Sequence, residues 1–469
     1  MADCTDGGES NRVGVRRLSW ENAMGAATRA LLAALAMAIW APPSLAAAAR
    51  EACADCAAPE PRQAVTGIAQ LIRANYFDAV RATRIANGLE ADARAGVFDR
   101  WRDPRDLAFV LTKRLSGEDR HFAVSWAPGG NAAPARVAAL DDGDTARANH
   151  GFTDVAVLPG GVGYVKLDLF APFEGPGSPQ QAAADAALRF VAGTPSLIID
   201  LRDNGGGSPN MVAYLVQQFV AEPARVASVF RSRTGLDGYE LSPVAATLPK
   251  RLDTPLFILV SARTGSSAEA LAYTLQAAGR AVIVGERTGG AANPGSVRQT
   301  ADGFSIFISV STPVNPITGT NWEGRGVTPD VGTAQEDALR VAQILALEAE
   351  GKQLRADGKA LPKQAALVLE TLRAEARTDA ADVGLAGRFG DLVIAEAGGT
   401  LHLLQGRRPA RTLVALGGDR FSLAEEPAAR FSIERDGPDG EASALVRALP
   451  GGGEMRYPRM MMDVSATLQ

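Results

Sequence analysis

Residues 255–284 read PLFILVSARTGSSAEALAYTLQAAGRAVIV, and this stretch shows the pattern of the middle of the chain. A short apolar run (255–260) is followed by a Thr-Gly-Ser turn, a helix-length segment and a second apolar run (281–284). Short apolar strands that alternate with helices predict a mostly parallel sheet covered on both faces. Residues 163–167 and 197–200 supply further strands of this kind. The sequence therefore predicts an α/β core.

The regions on either side of this core have different patterns. Apolar residues at helical spacing predict a small helical bundle before it, and a charged helical segment follows it. From residue 385 onward, glycine-rich turns separate short strand-like pieces, which predicts a small antiparallel sandwich or barrel. We divide the chain into a signal peptide (1–49), a linker (50–64), an N-terminal helical domain (65–118), the core (119–335), a helical linker (336–378) and a C-terminal β domain (379–469).

The composition excludes several classes of function. The chain has 469 residues, a formal net charge of -5 and 22% charged residues, as expected for a soluble globular protein. It has no long basic run, so nucleic acid is not expected as a partner. Cys53 and Cys56 form a C-x-x-C without a second Cys/His pair, so we expect a local disulfide or spare thiols and no zinc site. No metal or organic cofactor is predicted.

The first fifty residues have the order of a secretory signal. Arg16, Arg17 and Arg29 precede the apolar run 31–40, and small residues follow through position 49. We expect export to the periplasm or the medium, with no stable membrane span after the signal is removed. A buried alanine-rich helix is the alternative interpretation.

Two strand ends carry residue types that suit acyl transfer. Residues 204–207 are Asn-Gly-Gly-Gly, and residues 264–267 are Thr-Gly-Ser-Ser. Ligands bind at the carboxyl ends of strands in open α/β sheets, where backbone N–H groups can stabilise an oxyanion. Ser266 opens a predicted helix, whose N-terminus favours developing negative charge. Ser266 and Glu269 also fit a capping box, and the glycines fit a plain turn, so a structural role stays open.

A serine hydroxyl needs a base, and the chain has three histidines. His402 lies among the C-terminal strands, where an exposed imidazole is the ordinary interpretation. His150 lies in an irregular segment before the core. His121 lies on a loop that enters a strand, a position where catalytic groups are often placed. Spacing alone leaves both His121 and His150 as candidates.

Four motifs occur in the order typical of one family: DLRDNGGG (200–207), TGSSAE (264–269), GERTGG (285–290) and GRGVTPD (324–330). Residues 65–330 resemble the tail-specific (C-terminal processing) serine peptidases, in the branch that includes interphotoreceptor retinoid-binding protein and many bacterial exported peptidases. The resemblance implies a crotonase-like ββα core with Ser266 as nucleophile. It also implies an oxyanion hole formed by the N–H groups of Ser267 and of Gly206 or Gly207.

The sequence departs from the best-known members at the general base. Those members carry a lysine where this chain has Ala291, and no lysine occurs between Lys250 and Lys352. The tricorn-like variation of the fold uses serine, histidine and glutamate, and its positions correspond to His121 and Glu323 here. The resemblance therefore implies a Ser-His-Glu arrangement, although a loop glutamate without a catalytic role is the alternative for Glu323.

We expect an exported serine peptidase that forms an acyl-enzyme on Ser266, with His121 as base and Glu323 orienting the imidazole. A peptide or protein is the expected substrate. Two alternatives remain open, namely a non-catalytic binder of peptide or apolar ligand on the same fold, and an esterase.

Overall fold

The computed structural model describes residues 60–127, 142–173, 175–237, 244–376, 384–437 and 440–460. The predicted signal peptide, Cys53 and Cys56 lie outside these ranges. The helices and strands below are numbered in chain order within them.

Three helices precede the central sheet: α1 (Pro61–Asn75), α2 (Ala79–Arg94) and α3 (Pro104–Ser116). Asp78 and Asp103 cap the second and third helices, because each side chain accepts backbone N–H groups of the first turn. The apolar helix faces pack on a three-stranded sheet of order β1-β10-β9, formed by β1 (Ala123–Trp126), β9 (Gly295–Gln299) and β10 (Phe304–Ser309). This contact positions the turn that precedes β1.

The central sheet has the strand order β12-β8-β7-β4-β3-β2. Its strands are β2 (Phe152–Leu158), β3 (Val162–Leu167), β4 (Leu197–Asp200), β7 (Leu256–Val260), β8 (Val282–Gly285) and β12 (Val331–Gly332). The β2–β3 pair is antiparallel and the other pairs are parallel. The predicted α/β class is confirmed.

Successive strand residues point to opposite sides of this sheet, so each apolar strand contributes side chains to both faces. Helices pack on both of these faces. Ile199 and Ile258 pack with α5 (Pro179–Phe190), α6 (Pro209–Phe219) and α7 (Ser267–Ala277). Ile198 and Phe257 pack on the other face with α8 (Ala338–Ala356) and α9 (Lys363–Glu375). The fully apolar strands predicted from the sequence are therefore buried on both sides. The described residues before the C-terminal module also form α4 (Asp142–Arg147) and a small sheet of β5 (Val229–Ser232), β6 (Gly235–Asp237) and β11 (Ser311–Val314).

The C-terminal β module is a closed antiparallel barrel in which β13 pairs with both β14 and β20. Its strands are β13 (Gly387–Phe389), β14 (Leu392–Ala397), β15 (Thr400–Gln405), β16 (Arg411–Gly417), β17 (Arg420–Leu423), β18 (Phe431–Arg435), β19 (Ala442–Ala448) and β20 (Glu454–Met460). Leucine and phenylalanine side chains fill its interior. The predicted antiparallel module is thus confirmed, and the barrel alternative is the correct one.

In the parts of the chain that the structure describes, none of the helices combines the length and the apolar character needed to cross a bilayer.

Candidate active site

Ser266 lies at the turn between β7 and α7 in a backbone conformation that side-chain-bearing residues rarely adopt. Its φ is 51° and its ψ is -121°. Such a conformation costs a non-glycine residue about 1–3 kcal/mol, and it persists where the surrounding structure enforces it. The buried strand before Ser266 and the buried helix after it provide that constraint. The turn presents Ser266 at the carboxyl edge of the sheet, beside the unsatisfied N–H groups of a helix start.

Glu269 joins this turn to the loop that follows β8. Its side chain is fully buried, and its Oε2 accepts the N–H groups of Ser266 and Ala291, each at 2.9 Å. Its Oε1 accepts the Gly290 N–H at 2.7 Å and the Thr288 hydroxyl at 2.5 Å. The glutamate half of the predicted capping box is therefore present, and the same carboxylate also positions a second loop.

The glycine-rich turn after β4 packs directly against Ser266. Gly206 has a φ of 116°, and a Cβ at this position would lie 2.7 Å from the Ser266 Cβ, so a larger residue cannot occupy it. The Gly206 N–H donates to Asn204 Oδ1 at 2.8 Å. Because this N–H is already used, it is not available to an oxyanion. Of the two glycines that the resemblance offered, the geometry favours Gly207.

Gly207 also requires the absence of a side chain, since a Cβ there would lie 2.1 Å from the Phe170 carbonyl oxygen. Its bridge to Phe170 uses the Gly206 carbonyl and the Ser208 N–H, so its own N–H faces the opposite side. The Gly207 carbonyl accepts the Ser267 hydroxyl at 2.7 Å. No acceptor among the described residues is assigned to the N–H of Gly207 or of Ser267. These two groups are the candidate oxyanion donors.

His121 lies between two carboxylates. Its Nδ1 is 2.9 Å from Asp119 Oδ1 and 3.5 Å from Glu323 Oε1. Asp119 Oδ1 also accepts the His121 N–H at 2.8 Å, and its Oδ2 accepts the hydroxyls of Ser309 at 2.9 Å and Tyr76 at 3.1 Å. The Asp119 side chain is 2% exposed and the Glu323 side chain is 25% exposed. Asp119 is therefore the nearer and more firmly held partner of the imidazole.

The two carboxylates differ in their protonation equilibria. Burial alone would raise the pKa of Asp119, but hydrogen bonds from His121 and Ser309 and the charge of the imidazolium lower this pKa to about 2. Burial raises the pKa of Glu323, although His121 and the N–H groups of Ala292 and Asn293 oppose the rise. An ionised Asp119 can only accept a hydrogen bond. In the neutral imidazole, Nδ1 of His121 therefore carries the hydrogen, and Nε2 keeps its lone pair.

Ser266 and His121 line the same open cleft, which has a volume of about 600 Å³. Arg120, Gly207, Arg263, Ala291, Asn293 and Phe307 are among its other lining residues. Glu323 is not among the lining residues, but its Oε2 accepts the N–H groups of Ala292 at 2.8 Å and of Asn293, which lines the cleft, at 3.1 Å. The described residues that line the cleft include no lysine, in keeping with Ala291 at the position of the family's usual base.

Asp119, His121 and Glu323 also form a set of possible metal ligands, because one ligand atom of each lies within 4.8 Å of the others. The same short distances suit an imidazole held by hydrogen bonds. The predicted absence of a metal stays a prediction.

Neither of the two other histidines lines this cleft. His150 is in the 3₁₀ turn Asn149–Gly151 and has a φ of 54°. His402 lies on β15 of the barrel, opposite Ala395 and Thr412. The geometry therefore favours His121 over His150 as the partner of Ser266.

Part of the sequence that forms this site matches the model of a known protein family. Residues 161–333 match the model of peptidase family S41. These residues are an S41 domain. The domain contains Ser266, both glycines and Glu323, whereas Asp119 and His121 precede the matched residues.

Curated relatives match part of the chain. A chloroplastic C-terminal processing peptidase of Tetradesmus obliquus is 30% identical over 189 residues, or 38% of this chain and 37% of the relative. A carboxyl-terminal-processing protease of Synechocystis sp. is 31% identical over 156 residues, or 33% of this chain and 34% of the relative. The chain thus spans about a third of the length of these relatives. A solved photosystem II D1 C-terminal processing protease is 18% identical, with a TM-score of 0.40 over 59% of this chain and 94% of that one.

The sequence patterns did not reveal a role for two residues beside the predicted site of the S41 domain, Asp119 and Asn204. Asp119 lies two positions before His121, and this Asp-x-His spacing is the signal that could have revealed it. Asn204 controls which glycine N–H remains available, and its Nδ2 also donates to the Leu167 carbonyl at 2.8 Å. Its position at the head of the glycine run was visible, but the direction of its side chain was not.

Proposed function

We propose that the protein is a serine peptidase that cleaves peptide bonds through an acyl-enzyme on Ser266. The observation that carries the proposal is the fixed imidazole of His121, which a buried, ionised Asp119 orients in the cleft that Ser266 also lines. The match of residues 161–333 to peptidase family S41 supports the same reaction. The names of the relatives support a peptide or protein as substrate.

In this mechanism His121 Nε2 accepts the hydroxyl proton of Ser266 while Oγ attacks the scissile carbonyl carbon. The carbonyl oxygen becomes an oxyanion, which the N–H groups of Gly207 and Ser267 stabilise. His121 then gives its proton to the leaving amine, and the carbon–nitrogen bond breaks. A water molecule, deprotonated by the same imidazole, attacks the acyl-enzyme, and the carboxylic acid product leaves as Ser266 regains its proton.

Asp119 and Glu323 act through His121 in this scheme. Asp119 selects the tautomer, because its carboxylate accepts the Nδ1 hydrogen. Glu323, at 3.5 Å from Nδ1, adds negative charge that stabilises the imidazolium formed during attack. The sequence predicted a Ser-His-Glu arrangement. We propose that Asp119 is the principal residue that positions His121 and that Glu323 supports it.

Covalent labelling with a fluorophosphonate probe tests the nucleophile. We expect a stoichiometric adduct on Ser266 in the full chain and no adduct in Ser266→Ala. Ser267→Ala is the matched control, because it removes a neighbouring hydroxyl and keeps both candidate oxyanion N–H groups. An adduct on Ser267, or no adduct at all, would contradict the proposal and favour a non-catalytic binder. Turnover of small esters without turnover of any peptide library member would favour an esterase.

We also propose that the protein is exported and that its domains have the boundaries predicted from the sequence. The order of basic, apolar and small residues in positions 1–49 supports export. N-terminal sequencing of the mature protein from fractionated cells tests this, and a cytosolic protein with an intact N-terminus would contradict it.

A further inference from the structure

The cleft beside Ser266 contains a buried amide side chain that has no role in the proposed mechanism. Asn293 lines this cleft and is 5% exposed. Its Oδ1 is enclosed and has no hydrogen-bond partner among the described residues, and no partner among them is assigned to its Nδ2. Because Oδ1 is enclosed, Nδ2 is the polar atom that the amide offers to the cleft. Buried polar side chains in native proteins are nearly always paired, so a molecule bound in the cleft is the expected acceptor.

The backbone on both sides of this amide is held in place. The Asn293 N–H donates to Glu323 Oε2 at 3.1 Å, and the next carbonyl, that of Pro294, accepts the Val310 N–H at 2.9 Å. Gly295 then begins β9, which pairs with β10. A fixed backbone limits the directions that the side chain can take, so the Nδ2 donor is preorganised before a substrate binds.

Asn293 lies on the same side of the nucleophile as His121. Both residues line the cleft, and neither lines the smaller adjoining cavity that contains the candidate oxyanion donor Ser267. Phe307 links them, because its ring centroid is 6.5 Å from that of His121 and a Cβ added to Gly295 would lie 2.4 Å from its ring. In the proposed mechanism His121 gives its proton to the leaving amine. This side of the cleft therefore holds the part of the substrate that follows the scissile bond.

Resting on the proposed peptidase function, we propose that Asn293 is a substrate-binding residue whose Nδ2 donates to the main-chain carbonyl of the residue after the scissile bond. That carbonyl is the first main-chain acceptor on the leaving side, because the amine nitrogen itself receives a proton from His121. A neutral amide can bind a carbonyl oxygen without the large desolvation cost of a charged donor. Every amino acid supplies this carbonyl, so the hydrogen bond orients the leaving chain without selecting its sequence.

Two substrates with the same acyl part test the proposal with the full chain. In one, glycinamide follows the scissile bond and supplies the carbonyl. In the other, a p-nitroanilide follows it, and the leaving group has no carbonyl. Asn293→Ala should lower kcat/KM for the glycinamide peptide roughly three- to tenfold, the range expected for one neutral hydrogen bond. Turnover of the anilide and fluorophosphonate labelling of Ser266 should stay near the wild-type rates, which also shows that the variant is folded.

Asn293→Asp keeps the shape of the side chain but, when ionised, presents only acceptor oxygens, so it should also slow the glycinamide peptide. Asn87→Ala is the control, because this asparagine lies on α2 and accepts a hydrogen bond from Arg73, and it should change neither rate. Equal losses on both substrates in Asn293→Ala, no loss on either, or a normal peptide rate in Asn293→Asp would overturn the inference. Turnover of either substrate that persists in Ser266→Ala would instead overturn the proposed function.

Discussion

Glycines with positive φ occur both in the cleft and in the C-terminal barrel, but their surroundings differ. In the barrel turns, a Cβ added to Gly398, Gly406 or Gly418 would meet no atom within 4 Å. In the cleft, a Cβ on Gly206 or Gly207 would lie 2.7 Å or less from neighbouring atoms. The barrel glycines serve local turn geometry, whereas the cleft glycines also permit close approach between distant parts of the chain. A glycine in the sequence therefore does not by itself show whether its position needs only a turn conformation or also close packing against a distant segment.

The histidines give the largest contrast between the two regions. His121→Ala should lower the labelling rate and the peptide turnover by about three or more orders of magnitude, because nucleophile and base act as a unit. His402→Ala changes a barrel imidazole and should leave both rates unchanged. Stopped-flow labelling of the two variants checks this. Comparable losses in the two variants, or a large loss only in His150→Ala, would show that the assigned base is wrong.

The glycines should give the next largest effect. Gly207→Ala forces a Cβ against the Phe170 carbonyl and displaces a candidate oxyanion donor, so turnover should fall by about 10²–10³-fold. Gly418→Ala places a Cβ in open space at a φ of 60°, and should cost about 1–2 kcal/mol of unfolding free energy without a change in turnover. Urea unfolding and peptide hydrolysis measure the two quantities. Normal turnover in Gly207→Ala would refute its role as donor.

An aspartate in the cleft and one in the barrel should contribute differently to the free energy of unfolding. Asp119 has a pKa lowered to about 2 in the folded protein, so its contribution is present at neutral pH and is lost as pH falls from about 4 to about 2. Asp119→Asn should therefore lower the free energy of unfolding by roughly 2–3 kcal/mol at pH 7, and by less near pH 2. Asp419→Asn breaks a partly exposed pair with Arg435 in the barrel and should cost about 1 kcal/mol or less. Denaturant titrations across this pH range test the difference, and a pH-independent cost for Asp119→Asn would contradict it.

Glu323 should show the smallest effect on stability, and with the opposite sign. Burial raises the pKa of Glu323. At pH values above the ordinary glutamate pKa, the ionised carboxylate therefore lowers the stability of the folded state. Glu323→Gln should leave the unfolding free energy at pH 7 unchanged or slightly higher. Turnover should nevertheless fall, and its acidic limb should move to lower pH, because the imidazolium of His121 loses a neighbouring negative charge. An unmoved limb with normal turnover would remove Glu323 from the mechanism.

The sequence predicted the α/β core because its strands are short, apolar and separated by helices. The order of the motifs made Ser266 the candidate nucleophile, which stays a prediction. It did not identify Asp119, whose role depends on Tyr76 and Ser309, which lie 43 and 190 residues away in the chain. It also left sandwich and barrel open for the C-terminal module, because closure depends on pairing between the first and last strands of that module. Local sequence patterns predict the helices and strands, whereas contacts between distant residues decide the partners of Asp119 and whether the barrel closes.

Glu269 has a consequence for how the cleft can move. A single carboxylate oxygen accepts an N–H from the nucleophile turn and another from the loop at residues 288–291. These two segments must therefore shift together or lose buried hydrogen bonds to a fully enclosed charge. The glycine turn belongs to the same unit, because the Gly265 N–H donates to the Asn204 carbonyl at 3.0 Å and the Ser267 hydroxyl donates to the Gly207 carbonyl at 2.7 Å. The candidate nucleophile and both candidate oxyanion donors therefore form one hydrogen-bonded frame, whose internal spacing is kept when other parts of the cleft move.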